Sequence, residues 1–183
     1  MQNIFDNLKK DKNAKIYRLK DISKIKKGIQ LNKNDFDNNG KYYVLNGGKE
    51  PSGFSNLWNV KSNTITISEG GNSCGFVNLN EEKFYCGGHC YYLEEIDEKI
   101  DLNYLYFSLK YNEHNIMKLR VGSALPNIQK KDIENLKVFI PNLTKQQLIG
   151  SLLEKLNYKI KIIKEKINVL TNFKRYMLRN LFI

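Results

Sequence analysis

Residues 121–142 read VGSALPNIQKKDIENLKVFIPN, and this stretch separates two kinds of sequence. Pro126 lacks an N–H and fixes its own φ, and it pushes Leu125 towards an extended conformation, so the segment from Gly122 to Pro126 cannot be regular helix. Asn127 is then placed to cap a short helix that turns Ile128, Ile133 and Leu136 inward. Lys137–Ile140 is a short apolar run closed by Pro141, the pattern of a strand. From Thr144 to Ile183 there is no proline and one glycine, Gly150, with an apolar residue at every third or fourth position. The chain therefore divides into a mixed, mostly β domain over 1–143 and a long helix over 144–183. The expected class is α+β.

The helix carries the strongest periodic signal. Ile149, Leu153, Leu156, Ile160, Ile163, Ile167 and Leu170 follow one another at spacings of 4, 3, 4, 3, 4 and 3, three heptads of a and d positions. Such a seam calls for a partner helix, and a coiled-coil homodimer is the expectation. Leu152, Ile162, Val169 and Phe173 widen the apolar face, which leaves part of the helix able to rest on its own domain. At ~1.5 Å per residue it is on the order of 55 Å long, more than a domain core of this size needs.

Working back from the boundary, composition sets the class of partner. The 183 residues carry 30 Lys/Arg against 19 Asp/Glu, a formal charge of +11. Residues 1–143 hold 21 of the basic and 17 of the acidic groups, and residues 144–183 hold 9 and 2. Such a balance suits a polyanion, and nucleic acid is the commonest one. No run has the length of a membrane span and Met1–Lys15 is polar, so a membrane is not expected and a cytoplasmic location is. Three cysteines fit reduced thiols better than a disulfide framework.

The N-terminal part alternates short strands with glycine-rich loops. Met1–Asn13 is a helical lead-in with Ile4, Phe5 and Leu8 on one side. Lys15 opens a strand that runs into a basic turn bearing Lys24, Lys26 and Lys27 before Gly28. Tyr42–Leu45 is a strand delivering the chain to NGGKEPSGFSN, residues 46–56. Thr64–Ser68, TITIS, alternates as a half-buried strand and enters EGGNSCG at 69–75. Phe84–Leu93, FYCGGHCYYL, reads as one strand whose two glycines mark a bulge or the close approach of another backbone, and Ile100–Leu119 as one helix.

None of these features makes a convincing reaction centre. Cys74, Cys86, His89 and Cys90 are residues zinc favours, but Cys74 stands alone and the adjacent His89 and Cys90 point to opposite faces of an extended segment. A Cys74/His89 hydrolase would need an imidazole-activated thiol and an oxyanion hole from nearby glycine amides. The Gly47-Gly48 and Gly70-Gly71 pairs lack phosphate-loop spacing. Metal ligands and catalytic residues are accordingly not expected. A thiol hydrolase and a non-catalytic helical interaction module stand as the alternatives to DNA binding.

Several fragments in fixed order resemble half of a specificity subunit of a Type I restriction-modification system. They are IYRLKDISKIKKG, YVLNGGKEPSGFSN, TITISEGGNSCGFVN, KFYCGGHCYYL and LNYLYFSLKYN for a target recognition domain. VGSALPNIQKKDIENLKVFIPNLTKQQLIGSLLEKL and FKRYMLRNLFI resemble the start and end of that family's conserved helix. Family members carry two such domains and two such helices, where this chain has one of each, and Glu69 stands where relatives often have a base. The resemblance implies a DNA-reading subunit without chemistry of its own. It implies partners: methyltransferase subunits using S-adenosylmethionine, restriction subunits using ATP and Mg2+, and a second half subunit or second copy. Loop position and donor chemistry, rather than the family, single out Lys24, Lys26, Lys27, Lys49, Ser52, Ser55, Asn56, Asn72, Ser73 and His89 as contacts to double-stranded DNA. The lysines are placed against phosphate.

Overall fold

A computed structural model describes residues 2–122 and 126–181. The elements in order are α1 (Gln2–Lys9), β1 (Lys15–Arg18), α2 (Leu19–Ile22), β2 (Lys24–Lys27), β3 (Tyr42–Leu45), β4 (Gly53–Ser55), β5 (Thr64–Ser68), β6 (Val77–Asn80), β7 (Tyr85–Cys86), β8 (Cys90–Glu94), α3 (Leu102–Tyr111), α4 (Glu113–Met117), α5 (Lys130–Glu134), β9 (Lys137–Ile140) and α6 (Leu143–Leu181). This is the expected α+β architecture with a long C-terminal helix.

An antiparallel sheet in the order β2-β8-β5-β6 forms the centre. Period-2 alternation sends Ile65 and Ile67 of β5, Tyr91 and Leu93 of β8 and Ile25 of β2 to one face. They form the main core there with Leu105 and Leu109 of α3, Ile116 of α4, Ile128, and Ile133 of α5. The opposite face meets a smaller sheet, β4-β3-β7, across Leu45, Val60, Phe84, Cys86 and Cys90. All five residues of β5 are buried, because this second sheet covers the Thr/Ser side that alternation alone assigns to solvent. A two-stranded ribbon, β1 with β9, brings the start of the domain beside its end.

Several sequence expectations are refined. The basic turn is a strand: β2 pairs along its length with β8, Lys24 opposite Glu94 and Lys27 opposite Tyr91. The stretch Phe84–Leu93 is two strands rather than one bulged strand. Its glycines make a turn between β7, which pairs in parallel with β3, and β8, which joins the central sheet. The helix predicted over 100–119 breaks at Asn112 into α3 and α4. Asn127 does not cap α5, whose N-cap is Gln129; its backbone instead exchanges hydrogen bonds with Val121. Ile128, Ile133 and Leu136 are buried as expected. The extended conformation expected of Leu125 lies outside the described residues. The lead-in helix α1 docks through Phe5, stacked on Tyr111 with ring centroids 5.0 Å apart, and through buried Leu8.

The base of α6 belongs to the globular core. Gln146 is buried, donating to the carbonyls of Lys99 and Pro141 and accepting from Asp101 N–H at 2.9 Å. Gly150 lets the helix approach the start of α3 so closely that an added Cβ would lie 2.6 Å from Asp101 Oδ1 and 2.9 Å from Tyr104 N. Ile149 and Leu153 fill the core beside it, 7% and 4% exposed. These two seam positions are therefore spent within the chain, a correction to the reading of all seven as interchain. Beyond Leu153 no described residue of the helix is buried; Glu154–Lys161 face Asn103 and Tyr106 across an open cleft, and the rest of the helix extends past it.

Candidate nucleic-acid interface

Three glycine-rich turns meet at one end of the central sheet. The first follows β3, the second follows β5, and the third joins β7 to β8. Gly47 has φ +86°, and a Cβ there would lie 2.7 Å from the His89 carbonyl. That close approach lets Ser68 Oγ donate to the Gly47 carbonyl and Asn46 Oδ1 accept from His89 N–H at 3.2 Å. Glu69 N–H donates to the His89 carbonyl at 2.9 Å, joining the second turn to the third. A fourth wall comes from the boundary stretch: Gly71 N–H donates to the Pro126 carbonyl at 3.0 Å and Ile128 N–H to the Glu69 carbonyl at 2.9 Å. Held loops on a rigid sheet suit recognition.

The side chains at this end are basic and polar. His89 and Lys49 are exposed, with Lys49 Nζ 5.7 Å from the Phe76 ring centroid, within cation–π range. Asn72 is exposed and Ser73 half-buried on a single 3-10 turn, Gly71–Ser73. Lys27 reaches the same place by strand geometry: it shares the face of Ile25, two residues earlier, but sits at the sheet's end. Its Nζ lies 2.6 Å from Oε1 of Glu69, which is 4% exposed. Tyr91 O–H donates to the same oxygen at 2.9 Å, and burial first, then this bond to the carboxylate, pushes the Tyr91 hydroxyl well above the ordinary phenol value.

Lys24 and Lys26 sit on the outer face of β2 and pair with Glu95 at 2.9 Å and Glu94 at 3.7 Å. Both pairs are solvent-exposed, and such pairs yield easily to another anion. Ser52 is exposed at the β3–β4 hairpin, where its N–H and hydroxyl both donate to the Val44 carbonyl. Two other expected contacts lie elsewhere. Ser55 is fully buried with its hydroxyl donated to the Asp35 carbonyl at 2.8 Å, so it has nothing to offer a ligand. Asn56 is held by Asp37 at 2.8 Å, at the far end of the small sheet. The run 46–56 was one loop in the sequence; the hairpin carries its second half away from the converging turns.

Glu69 is what residue-by-residue reading of the loops missed. Its signal lies in the strand: Ile65, Ile67 and Glu69 fall at period 2, so the carboxylate occupies a core-facing position. Arg120, exposed beside the Cys74 turn and the Val121–Asn127 bridge, adds a cation that loop position alone does not single out.

The three cysteines are free, buried and directed at backbone carbonyls. Cys74 is buried and donates its Sγ–H to the Glu69 carbonyl at 3.0 Å, and burial raises its pKa above the usual thiol value. His89 Nδ1 faces Glu69 Oε2 at 3.7 Å, so the imidazole and the thiol address different atoms of one residue rather than each other. Hydrogen bonding with Cys90, then burial, pushes the Cys86 thiol far up. Among the described residues no three His, Cys, Asp or Glu side chains gather as a metal site. No helix of these residues is long and apolar enough to cross a membrane.

On α6 the remaining seam is open. Leu156, Ile160, Ile163, Ile167 and Leu170 are 46–65% exposed along one face.

Residues 11–172 match the model of the Type I restriction modification DNA specificity domain. A protein named as a type I specificity subunit of Mycoplasma pneumoniae is 34% identical over 150 residues, which are 81% of this chain and 40% of that protein. One of Mycoplasma genitalium is 35% identical over 131 residues, 70% and 34% of the two chains. The crystal structure of a Type I restriction-modification S subunit from M. genitalium superposes with a TM-score of 0.81 at 29% identity, covering 93% of this chain and 46% of that one. The chain thus spans less than half the length of these relatives.

Proposed function

The chain belongs to the Type I restriction-modification DNA specificity family, and on that premise we propose that it reads double-stranded DNA as the specificity component of such a system. The observation that carries the reading is the convergence of three glycine-rich turns, presenting Lys27, Lys49, Asn72, Ser73 and His89 at one end of the central sheet. Phosphate contacts supply affinity and fix register, and side chains held on the turns meet base edges. Lys24 and Lys26, on the other face of β2 and with Lys24 at the end of the strand away from the turns, extend the basic surface and exchange their exposed glutamate partners for phosphate. The methyl transfer and cleavage chemistry belongs to partners: methyltransferase subunits with S-adenosylmethionine, and restriction subunits with ATP and Mg2+.

The chain works as a pair. An isolated helix gains little from propensity alone and relies on packing of its apolar face, yet past Leu153 α6 shows an a/d stripe to water. A second copy running antiparallel covers that stripe and sets two identical recognition domains at opposite ends of a common shaft. Two-fold symmetry then makes the site an interrupted palindrome.

The test is selection of bound sequences from a random duplex pool, by the chain alone and with its methyltransferase subunit, together with the salt dependence of binding. The reading expects one enriched bipartite motif and an affinity falling steeply with salt. A chain that enriches nothing and binds without salt dependence is an interaction module rather than a DNA reader.

A further inference from the structure

We propose that Glu69 is a positioning residue for base recognition, holding Lys27, and through its second oxygen His89, as donors aimed at a base edge rather than at phosphate. The inference rests on the DNA-reading function proposed above and goes further by assigning one recognition contact and its chemistry.

A carboxylate as buried as Glu69 is costly unless fully satisfied, and a glutamine or leucine would continue the Ile65/Ile67 face without that cost. The arrangement is lopsided. Oε1 accepts from both Lys27 Nζ and Tyr91 O–H, while Oε2 is buried with no hydrogen-bond partner among the described residues. Among the described residues, His89 Nδ1 faces Oε2 at 3.7 Å, too far for a hydrogen bond, on a side chain 63% exposed. A small turn of the imidazole closes that gap. The carboxylate is itself immobile, since its backbone is tied to His89 and Ile128 and its side chain to Tyr91 on the neighbouring strand. Among the described residues it therefore offers two fixed anchoring points, one taken and one open, to two half-exposed side chains on separate elements.

The pairing changes what Lys27 can do. A free surface lysine sweeps a wide volume and serves any phosphate. Lys27 has one N–H committed at 2.6 Å, its charge balanced by a buried anion, and its stem fixed on β2, with 49% of the side chain open. Its two remaining N–H groups point from a defined place. A positioned ammonium with balanced charge suits a base acceptor, and guanine N7 and O6, adjacent in the major groove, are the acceptors that lysine pairs with. His89, drawn onto Oε2, buttresses the same point.

Binding-site selection with the wild-type chain and with Lys27→Ala, His89→Ala and Glu69→Gln tests this. The expected result is a guanine fixed at one position of each half-site in the wild type. Lys27→Ala and Glu69→Gln each relax that same position by roughly tenfold or more and leave the others intact. Glu69→Gln also binds random duplex as tightly as wild type or tighter, because a released Lys27 is free for phosphate. A merely structural role would instead lower specific and random binding together. If Lys27→Ala weakens every sequence alike and flattens the salt dependence by about one ion, Lys27 is a phosphate contact and the inference fails while DNA reading stands. If the wild type selects no sequence at all, the function proposed above fails with it. Should Glu69→Gln not fold, Lys27→Ala and His89→Ala, altered at exposed side chains, decide by relaxing one shared position or none.

Discussion

The two parts of α6 share one heptad pattern and meet opposite fates. In the base, Ile149 and Leu153 are buried against α3, with Gly150 between them allowing near-backbone contact and Gln146 tying the first turn to the loop before α3. In the shaft, Leu156, Ile160, Ile163, Ile167 and Leu170 continue the same spacing into water. Periodicity thus states that a face is apolar but not what covers it. In the base the cover is the chain's own core; in the shaft, on the reading proposed here, it is a second copy.

The largest effect that would break this distinction lies in the shaft. Changing Ile160 and Ile163 together to Lys should convert a dimer into a soluble, folded monomer, read by light scattering and circular dichroism. An unchanged mass would move the interface off the seam. The base should behave oppositely: Leu153→Ala should destabilise the fold by roughly 2–5 kcal/mol, as buried Leu truncations do, by the same amount at every protein concentration. Ile167→Ala should alter only the concentration-dependent part of denaturant unfolding. A smaller effect concerns the thiols. Burial raises the Cys74 pKa, and hydrogen bonding with Cys90 followed by burial raises that of Cys86, so thiolate is scarcer at any given pH than in a free cysteine. Native protein at mildly alkaline pH should resist alkylation that denatured protein accepts, and Cys74→Ser should keep DNA binding. Fast labelling of Cys74 with loss of an activity on its exchange would revive the hydrolase reading.

Much of the fold was legible where a single principle decides locally. Pro126 and Pro141 bracket the boundary, Lys137–Ile140 is a strand to the residue, and the apolar spacing of the final helix is unambiguous. Tertiary packing decided the rest. TITIS looked half-buried because its Thr/Ser face is polar, and only the second sheet buries it. The glycines at 87 and 88 read as a bulge or a close backbone approach within one strand, because nothing local says that the chain leaves one sheet there and enters another. The candidate site was legible in outline for the same reason that it was incomplete. Loop position picked out Lys49, Asn72, Ser73 and His89, but it also took in Ser55 and Asn56, which the β3–β4 hairpin carries away. It passed over Glu69, whose clue was a charge in phase with the apolar face of a strand.

The central claim, that a DNA-reading domain is set at a fixed distance from its twin by the shaft of α6, is tested most directly by shortening that shaft. Removing Asn157–Ile163 deletes one heptad beyond the buried base and leaves Leu156 followed by the Ile167 and Leu170 positions in unbroken register. Dimerisation should survive. The two domains should approach by ~10 Å, seven residues at ~1.5 Å each, about three base pairs at ~3.4 Å. Binding-site selection with the shortened chain should return the same half-sites with a spacer reduced by that amount, or lose affinity because the half-sites fall out of rotational phase. A dimer that selects the original half-sites at the original spacing and affinity would show that the shaft is not the ruler and contradict the antiparallel pair.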